Sequence, residues 1–206
     1  MGIFSKLFGK ETPPPPPFEL EPTAVMMDED RYWQMITDSI DESGGDRECQ
    51  ENVLISSLEK LEPVNIIGFR LRTDKLLYDT YNPEMWCAGY IMNGGCSDDG
   101  FEYFRLWIIA QGRQVYENAK QNPDSLSTAI GDEIEEFYDF ESLWYVALKA
   151  FENKTGKEIY NFLDEENFKF SEADYPRDFE FNWQGDDPDS MKKICPNLFA
   201  QFENVR

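Results

Sequence analysis

Residues 91–112, IMNGGCSDDGFEYFRLWIIAQG, decide the fold of this chain. Ser97 is placed to cap a helix, which puts Asp98 and Asp99 in the first turn, where the helix dipole favours anions. From Phe101 onward, apolar side chains fall on nearly every side of that helix. A helix that is apolar all round is central to its domain. The stretch therefore predicts the central helix of a helical fold.

A charged stripe runs along this helix. At about 100° per residue, Asp98, Glu102 and Arg105 project from one narrow stripe. We expect these charges to be partly buried, because the helix has no clear side that faces solvent. A buried guanidinium needs anionic partners to offset its lost hydration. We therefore predict that Arg105 is largely buried and bonded to one of these acids or to Asp99.

The start of this helix supports a functional and a structural interpretation. In the functional one, a glycine turn and polar side chains converge on a ligand, and the helix N-terminus lowers the pKa of the Cys96 thiol. In the structural one, the segment is a capped helix start with an internal ion-pair network, since such networks also perturb charges. We favour the structural interpretation and keep the functional one open. The candidate ligand- or partner-binding residues are Asn93, Cys96, Ser97, Asp98, Asp99, Arg105 and Gln111.

The residue types present exclude most familiar catalytic designs. The sequence contains no histidine, which removes the usual general base near neutral pH, the Ser-His and Cys-His nucleophile pairs and the commonest zinc ligand. The four cysteines lack C-x-x-C spacing, which argues against a structural zinc site or a disulfide framework and favours a reducing compartment. Gly94 and Gly95 are not followed by the Gly-Lys-Ser/Thr ending of a phosphate loop. We assign no catalytic residue, no metal and no cofactor.

The charge balance bears on the kind of partner. The chain has 41 Asp and Glu residues against 19 Lys and Arg residues, for a formal net charge of -22. Such a surface repels nucleic-acid phosphates and anionic lipids and steers basic proteins toward it. We expect a protein partner, basic in charge, and no direct nucleic-acid binding. Solubility in the cytosol is the plainer explanation of the same acidity and the one that we favour, so the basic charge of the partner stays open.

Residues 1–27 are expected to form a tail ahead of the domain. Residues 1–10 place apolar side chains on one helical face, which permits weak contact with a membrane surface. A disordered start is the simpler interpretation, because so short a helix is marginal alone and cannot span a membrane. The five prolines of residues 13–17 form a stiff spacer. An acidic helical domain is expected over residues 28–206.

Capping residues and glycines divide that domain into helices. Asp28 and Asp46 each precede apolar residues that are spaced for one helical face, and Gly156 ends the last clear helix. Beyond Gly156 the helical periodicity fades into an aromatic-rich segment. Within it, residues 168–170 (FKF) and 179–181 (FEF) alternate in a way that permits one or two short strands. The predicted fold class is mainly α, a single helical domain with an irregular aromatic-rich C-terminal segment.

Several parts of the chain resemble a known bacterial family. The run NGGCSDDGF at residues 93–101, with the F-R-x-W and I-A-Q-G elements at residues 104–112, is similar to the signature of domain-of-unknown-function family 4240. The opening MDEDRYW at residues 27–33 is similar to the opening of that family. The resemblance extends over residues 27–156. It implies a bacterial protein and no particular activity.

Two function classes follow from these observations. We expect a cytoplasmic binding or regulatory module, such as an inhibitor or immunity protein for a basic secreted toxin, or an accessory of a stress or defence system. The alternative is a small enzyme without histidine that uses a helix N-terminal pocket around residues 93–105. A deep pocket or a bound ligand near Ser97 would favour the enzyme.

Overall fold

Helices dominate the computed structural model, which describes residues 20–131, 134–168 and 179–205. The α-helices are α1 (Glu29–Ser43), α2 (Arg47–Glu59), α3 (Pro63–Asp79), α4 (Pro83–Asn93), α5 (Asp98–Ala110), α6 (Arg113–Gln121), α7 (Val146–Thr155), α8 (Pro188–Ile194) and α9 (Pro196–Phe202). Short 3₁₀ helices lie at Pro123–Thr128, Glu141–Tyr145 and Ile159–Phe162. Within the described ranges, no helix is both long and apolar enough to cross a membrane. The prediction of a mainly α, single-domain fold is confirmed.

Short polar side chains begin helices where the sequence predicts them. The Asp28 carboxylate accepts the Arg31 N–H at 3.0 Å, and the Asp46 carboxylate accepts the Cys49 N–H at 2.7 Å. These bonds satisfy backbone donors that have no partner within the first turn of a helix. At the other end of α1, Gly44 adopts φ of +61°, a left-handed conformation that favours glycine.

Helix α5 forms the centre of the core. Phe101 and every residue of 104–110 are at most 2% exposed. The helix contacts α3, α4, α6 and the 3₁₀ helix Glu141–Tyr145, so neighbours surround it. Removing this much apolar surface from water is the main favourable contribution to folding. The predicted central position of the helix is therefore confirmed.

The aromatic-rich C-terminal segment covers the helices without forming a strand in the part that is described. Only isolated bridges occur there in place of a sheet. The rings of Phe179 and Phe181 lie 6.2 and 5.3 Å from the ring of Trp86, measured between centroids. Phe179 and Phe181 therefore both pack against α4, and residues 179–181 do not pair with a neighbouring strand. Of residues 168–170, the last two lie outside the described residues.

A buried carboxylate attaches the C-terminal helices to the rest of the domain. Asp124 is 4% exposed and accepts the backbone N–H groups of Asn197 and Leu198, each at 2.9 Å. The Asn197 side-chain amide donates a third bond to Asp124 at 2.7 Å. These backbone donors begin α9, which has no side-chain cap in its own sequence. A residue 73 positions earlier therefore caps this helix.

The chain makes packed contacts before α1 begins. The Thr23 N–H donates to the Phe162 carbonyl at 3.0 Å, and the Met27 N–H donates to the Gly68 carbonyl at 2.8 Å. Met27 is only 4% exposed. These contacts hold residues 23–27 against α3 and the segment that follows α7. The amphipathic start and proline run predicted for the tail lie outside the described residues, and the domain boundary after residue 27 stays a prediction.

Candidate functional site

Arg105 lies inside the core, as predicted. The residue is 2% exposed, and its guanidinium stands over the ring of Phe101 at 4.4 Å and that of Tyr81 at 5.0 Å. Its Nη1 donates to the Leu77 carbonyl at 2.6 Å, and its Nε donates to the Phe101 carbonyl at 3.2 Å. The Leu77 carbonyl belongs to the last turn of α3, where cations are favoured. Arg105 therefore fastens the end of α3 to α5.

The acids that share the stripe with Arg105 are more exposed than we expected. Asp98 and Asp99 are both exposed, and Glu102 is half-buried. The expectation of partial burial is wrong for Asp98, because it stands at the first position of α5, where the helix emerges into solvent. The predicted bond between Arg105 and one of these acids stays a prediction.

Cys96 is held as a neutral thiol. Burial raises the pKa of the thiol to about 12, and the Asp98 carboxylate adds to this shift while the Arg105 guanidinium opposes it. The functional interpretation required a lowered pKa for this thiol, and burial shifts it in the opposite direction. The Cys96 carbonyl accepts the Trp86 indole N–H at 3.0 Å. A thiol with a raised pKa is a poor nucleophile at neutral pH.

Polar side chains at the end of α4 and at the start of α5 form hydrogen bonds with backbone groups. Asn93 Oδ1 accepts the Tyr138 N–H at 2.8 Å, and Asn93 Nδ2 donates to the Tyr138 carbonyl at 3.3 Å. Ser97 Oγ accepts the Gly100 N–H at 3.2 Å, which makes it the predicted cap of α5. Asn93 thereby holds the loop of residues 134–140 against α4.

Gln111 lines a cleft. The cleft measures about 440 Å³ and lies at the C-terminal end of α5, beside the turn between α1 and α2. A helix of 13 residues is about 20 Å long, so Gln111 is far from Ser97 and Cys96. The structure therefore places Gln111 at the opposite end of α5 from the candidates of residues 93–99, with Arg105 midway along the helix. The polar and aromatic side chains lining the cleft include Asp46, Arg47, Glu48, Trp107, Gln111 and Glu135.

Buried hydrogen bonds hold the wall of the cleft in place. Gln50 is 4% exposed and donates from Nε2 to the Ala110 carbonyl at 3.1 Å and to Ser39 Oγ at 3.2 Å. Trp107 packs edge-on against Tyr138, with 5.0 Å between ring centroids. Because Asn93 fixes the backbone of Tyr138, the loop beside the cleft is held as well.

An ion pair on the cleft joins distant parts of the chain. Arg47 Nη2 donates to Glu135 Oε2, and the two side chains are 34% and 46% exposed. Neither residue was predicted as a site residue, because the two lie 88 positions apart in the sequence. The acidic composition of residues 134–136, which include Glu135 and Glu136, was the one signal that could have directed attention to this loop.

The cleft is electronegative. Asp46, Glu48 and Glu135 contribute carboxylates to it. Helices α2 and α6 begin where α1 and α5 end, so the helix dipoles there oppose one another and the charged side chains set the sign of the potential. A second cleft of about 480 Å³ shares Asp46 and Glu48 and adds Glu42. Across the described residues, no group of three or more histidine, cysteine or acidic side chains is arranged to hold a metal ion.

Fold and site together define a mainly helical domain with an acidic cleft at the end of its central helix. The chain belongs to the family described as Protein of unknown function (DUF4240), whose model matches residues 27–153. The match includes the whole of α5 and the loop that carries Glu135, whereas α8 and α9 lie beyond it. No curated protein and no solved structure matches the chain significantly.

Proposed function

We propose that this protein is a binding module of the bacterial cytoplasm whose partner is a basic protein, in the manner of an inhibitor, an immunity protein or a defence accessory. The observation that carries the proposal is the formal net charge of -22, from 41 acidic and 19 basic residues. The field of such a charge attracts a basic partner and speeds its association at low ionic strength.

Contacts at the start of α5 support a binding module over an enzyme. The side chains of Asn93 and Ser97 are bonded to backbone groups, and Arg105 donates to backbone carbonyls inside the core. Burial keeps the Cys96 thiol neutral by raising its pKa to about 12. A nucleophile needs a lowered pKa or an adjacent base, and the sequence has no histidine to act as that base. These contacts favour a structural role for the segment.

The products of neighbouring genes provide the test. Each basic product would be expressed together with the full chain, and complexes would be isolated by size-exclusion chromatography, with acidic products of the same neighbourhood as controls. We expect a complex of fixed stoichiometry that dissociates as salt is added, and restored growth where the basic product is toxic. If no basic neighbour binds, or if the full chain binds duplex DNA instead, the proposal is wrong.

A further inference from the structure

We propose that the cleft at the C-terminal end of α5 receives an arginine or lysine side chain of the basic partner, and that Arg47 occupies part of this site until the partner displaces it. This inference rests on the proposed function and assigns it a surface. It commits to one occupant, a cationic side chain presented by another protein.

The shape of the cleft suits such a side chain. Its volume of about 440 Å³ falls within the roughly 300–1,000 Å³ of pockets that hold small ligands. Trp107 and Ala110 also line it, each at most 2% exposed, so they form a fixed apolar wall beside the charged side chains. The Gln111 side chain, half-buried at the same place, offers an amide oxygen to a cationic donor.

Arg47 shows how a guanidinium is accommodated here. Its side chain already donates to the carboxylate of Glu135 on the cleft. Because both side chains are about one-third exposed or more, solvent screens the pair and it contributes little to stability. A partner arginine can therefore take the place of Arg47 on Glu135 at small cost. This internal contact indicates the chemical class of the ligand independently of the overall charge.

The surroundings of the cleft fit a protein partner. The carboxylates of Asp46, Glu48 and Glu135 outnumber the guanidinium of Arg47 and supply negative potential. Phe137, two residues after Glu135, is 52% exposed and offers an apolar contact on the same loop. Interfaces combine buried arginines and aromatic side chains in this way.

The test compares two arginine substitutions that change the net charge equally. Arg47→Gln removes the cation that competes for the cleft. The control, Arg31→Gln, removes an exposed arginine from the start of α1, where it bonds to Asn65 of α3. Arg31 lies about 20 Å along α1 from the cleft. The probe is a fluorescently labelled hexa-arginine peptide, titrated into the full chain. We expect Arg47→Gln to bind the probe about threefold to tenfold more tightly than Arg31→Gln.

A second pair of variants tests the acceptor. Glu135→Gln should weaken binding of the same peptide by about threefold to tenfold, whereas Glu152→Gln, an exposed acid on α7, should weaken it less. In spectra of the ¹⁵N-labelled chain, the peptide should shift the Trp107 indole N–H and the Ala110 and Gln111 amides most. Thermal unfolding of each variant should stay within a few degrees of the wild type, since these side chains are exposed.

The outcomes distinguish a wrong binding surface from a wrong proposed function. If Arg47→Gln gains no more affinity than Arg31→Gln, or if the shifted amides lie away from the cleft, this inference is overturned while a basic partner remains proposed. If neither the hexa-arginine peptide nor any basic neighbouring product binds the wild-type chain, the proposed function fails and the inference fails with it.

Discussion

Arg105 connects two helices from within the core, and its loss should be costly. Arg105→Ala would remove the guanidinium donor from the Leu77 carbonyl, which would keep only its bonds from Thr80, and would open a cavity beside Phe101. We expect the free energy of unfolding to fall by about 3 kcal/mol or more. Arg105→Lys should recover only part of this, because the planar guanidinium is lost. Urea denaturation of the three proteins measures the difference.

The two interpretations of this segment give different results in that experiment. If Arg105→Ala unfolds like the wild type but no longer binds a partner, the residue acts in function and the structural assignment is wrong. The sequence predicted the burial because the helix is apolar on nearly every side. It did not predict the Leu77 carbonyl as the acceptor, since that residue lies 28 positions earlier and only the tertiary fold brings it near.

Cys96 should react slowly with thiol reagents. Burial raises its pKa to about 12, so at pH 8 almost no thiolate is present to attack iodoacetamide. We expect the exposed Cys49 to be alkylated first and Cys96 only after denaturant is added, as followed by mass spectrometry. Alkylation of both cysteines at the same rate in the native protein would contradict the burial.

The same thiol links stability to pH. An ordinary cysteine titrates near 9.0, whereas in the folded chain Cys96 titrates at about 12. The stability gained by keeping the thiol neutral is therefore complete below pH 9 and is lost as the pH rises from 9 toward 12. Cys96→Ala should remove this part of the alkaline decrease. Position at a helix start suggested the opposite shift, and the sequence could not show that Gly89 of α4 lies close to the sulfur.

At the scale of elements, Asn93 should control the loop that carries Glu135. Asn93→Ala removes both bonds to the Tyr138 backbone, and we expect a loss of about 1–3 kcal/mol and faster hydrogen exchange at the Tyr138 amide. Asn93→Asp is the matched control, since it keeps the acceptor for the Tyr138 N–H and loses only the donor. If Asn93→Ala leaves that exchange rate unchanged, the loop is held by other contacts.

Helix starts were predictable where the capping contact is local. Asp28, Asp46 and Ser97 each bond to an N–H three residues later, so the sequence alone contains both partners. The region after Asp139 behaves differently. The sequence predicts one helix there over residues 140–154, capped by Asp139. In the structure the Phe140 N–H donates to the Tyr103 carbonyl, and α7 begins only at Val146 after a 3₁₀ helix. A tertiary contact overrides the local signal.

The cleft was predictable only in part for the same reason. Gln111 was a candidate because it belongs to the distinctive segment of α5. Its neighbours Arg47 and Glu135 come from the first turn of α2 and from a loop 88 positions later. No local pattern links them, so the site becomes visible only when the chain has folded.

For the whole molecule, the position of the domain boundary can be tested by two truncations. Deleting residues 1–19 should change the melting temperature little, because that stretch is short, amphipathic and proline-rich. Deleting residues 1–27 also removes buried Met27 and the bonds of Thr23 and Met27 to the core. We expect this to lower the melting temperature by a further amount on the order of 10 °C.

Differential scanning calorimetry of the two truncated proteins and the full chain distinguishes these expectations. Equal melting temperatures for the two truncations would place the boundary after residue 27, as the sequence predicts. A large loss on removing residues 1–19 alone would mean that the tail itself supports the domain.

The bond between Asp124 and α9 has a consequence for synthesis on the ribosome. When Asp124 has been translated, its hydrogen-bond donors lie 73 residues further along the message. At about 5–20 residues per second, they arrive about 4–15 seconds later. From residue 153 onward the nascent chain contains the whole family match but still exposes the surface that α8 and α9 will cover. Helices α8 and α9 can therefore dock only after they have been translated. A chaperone can act on the exposed surface until then.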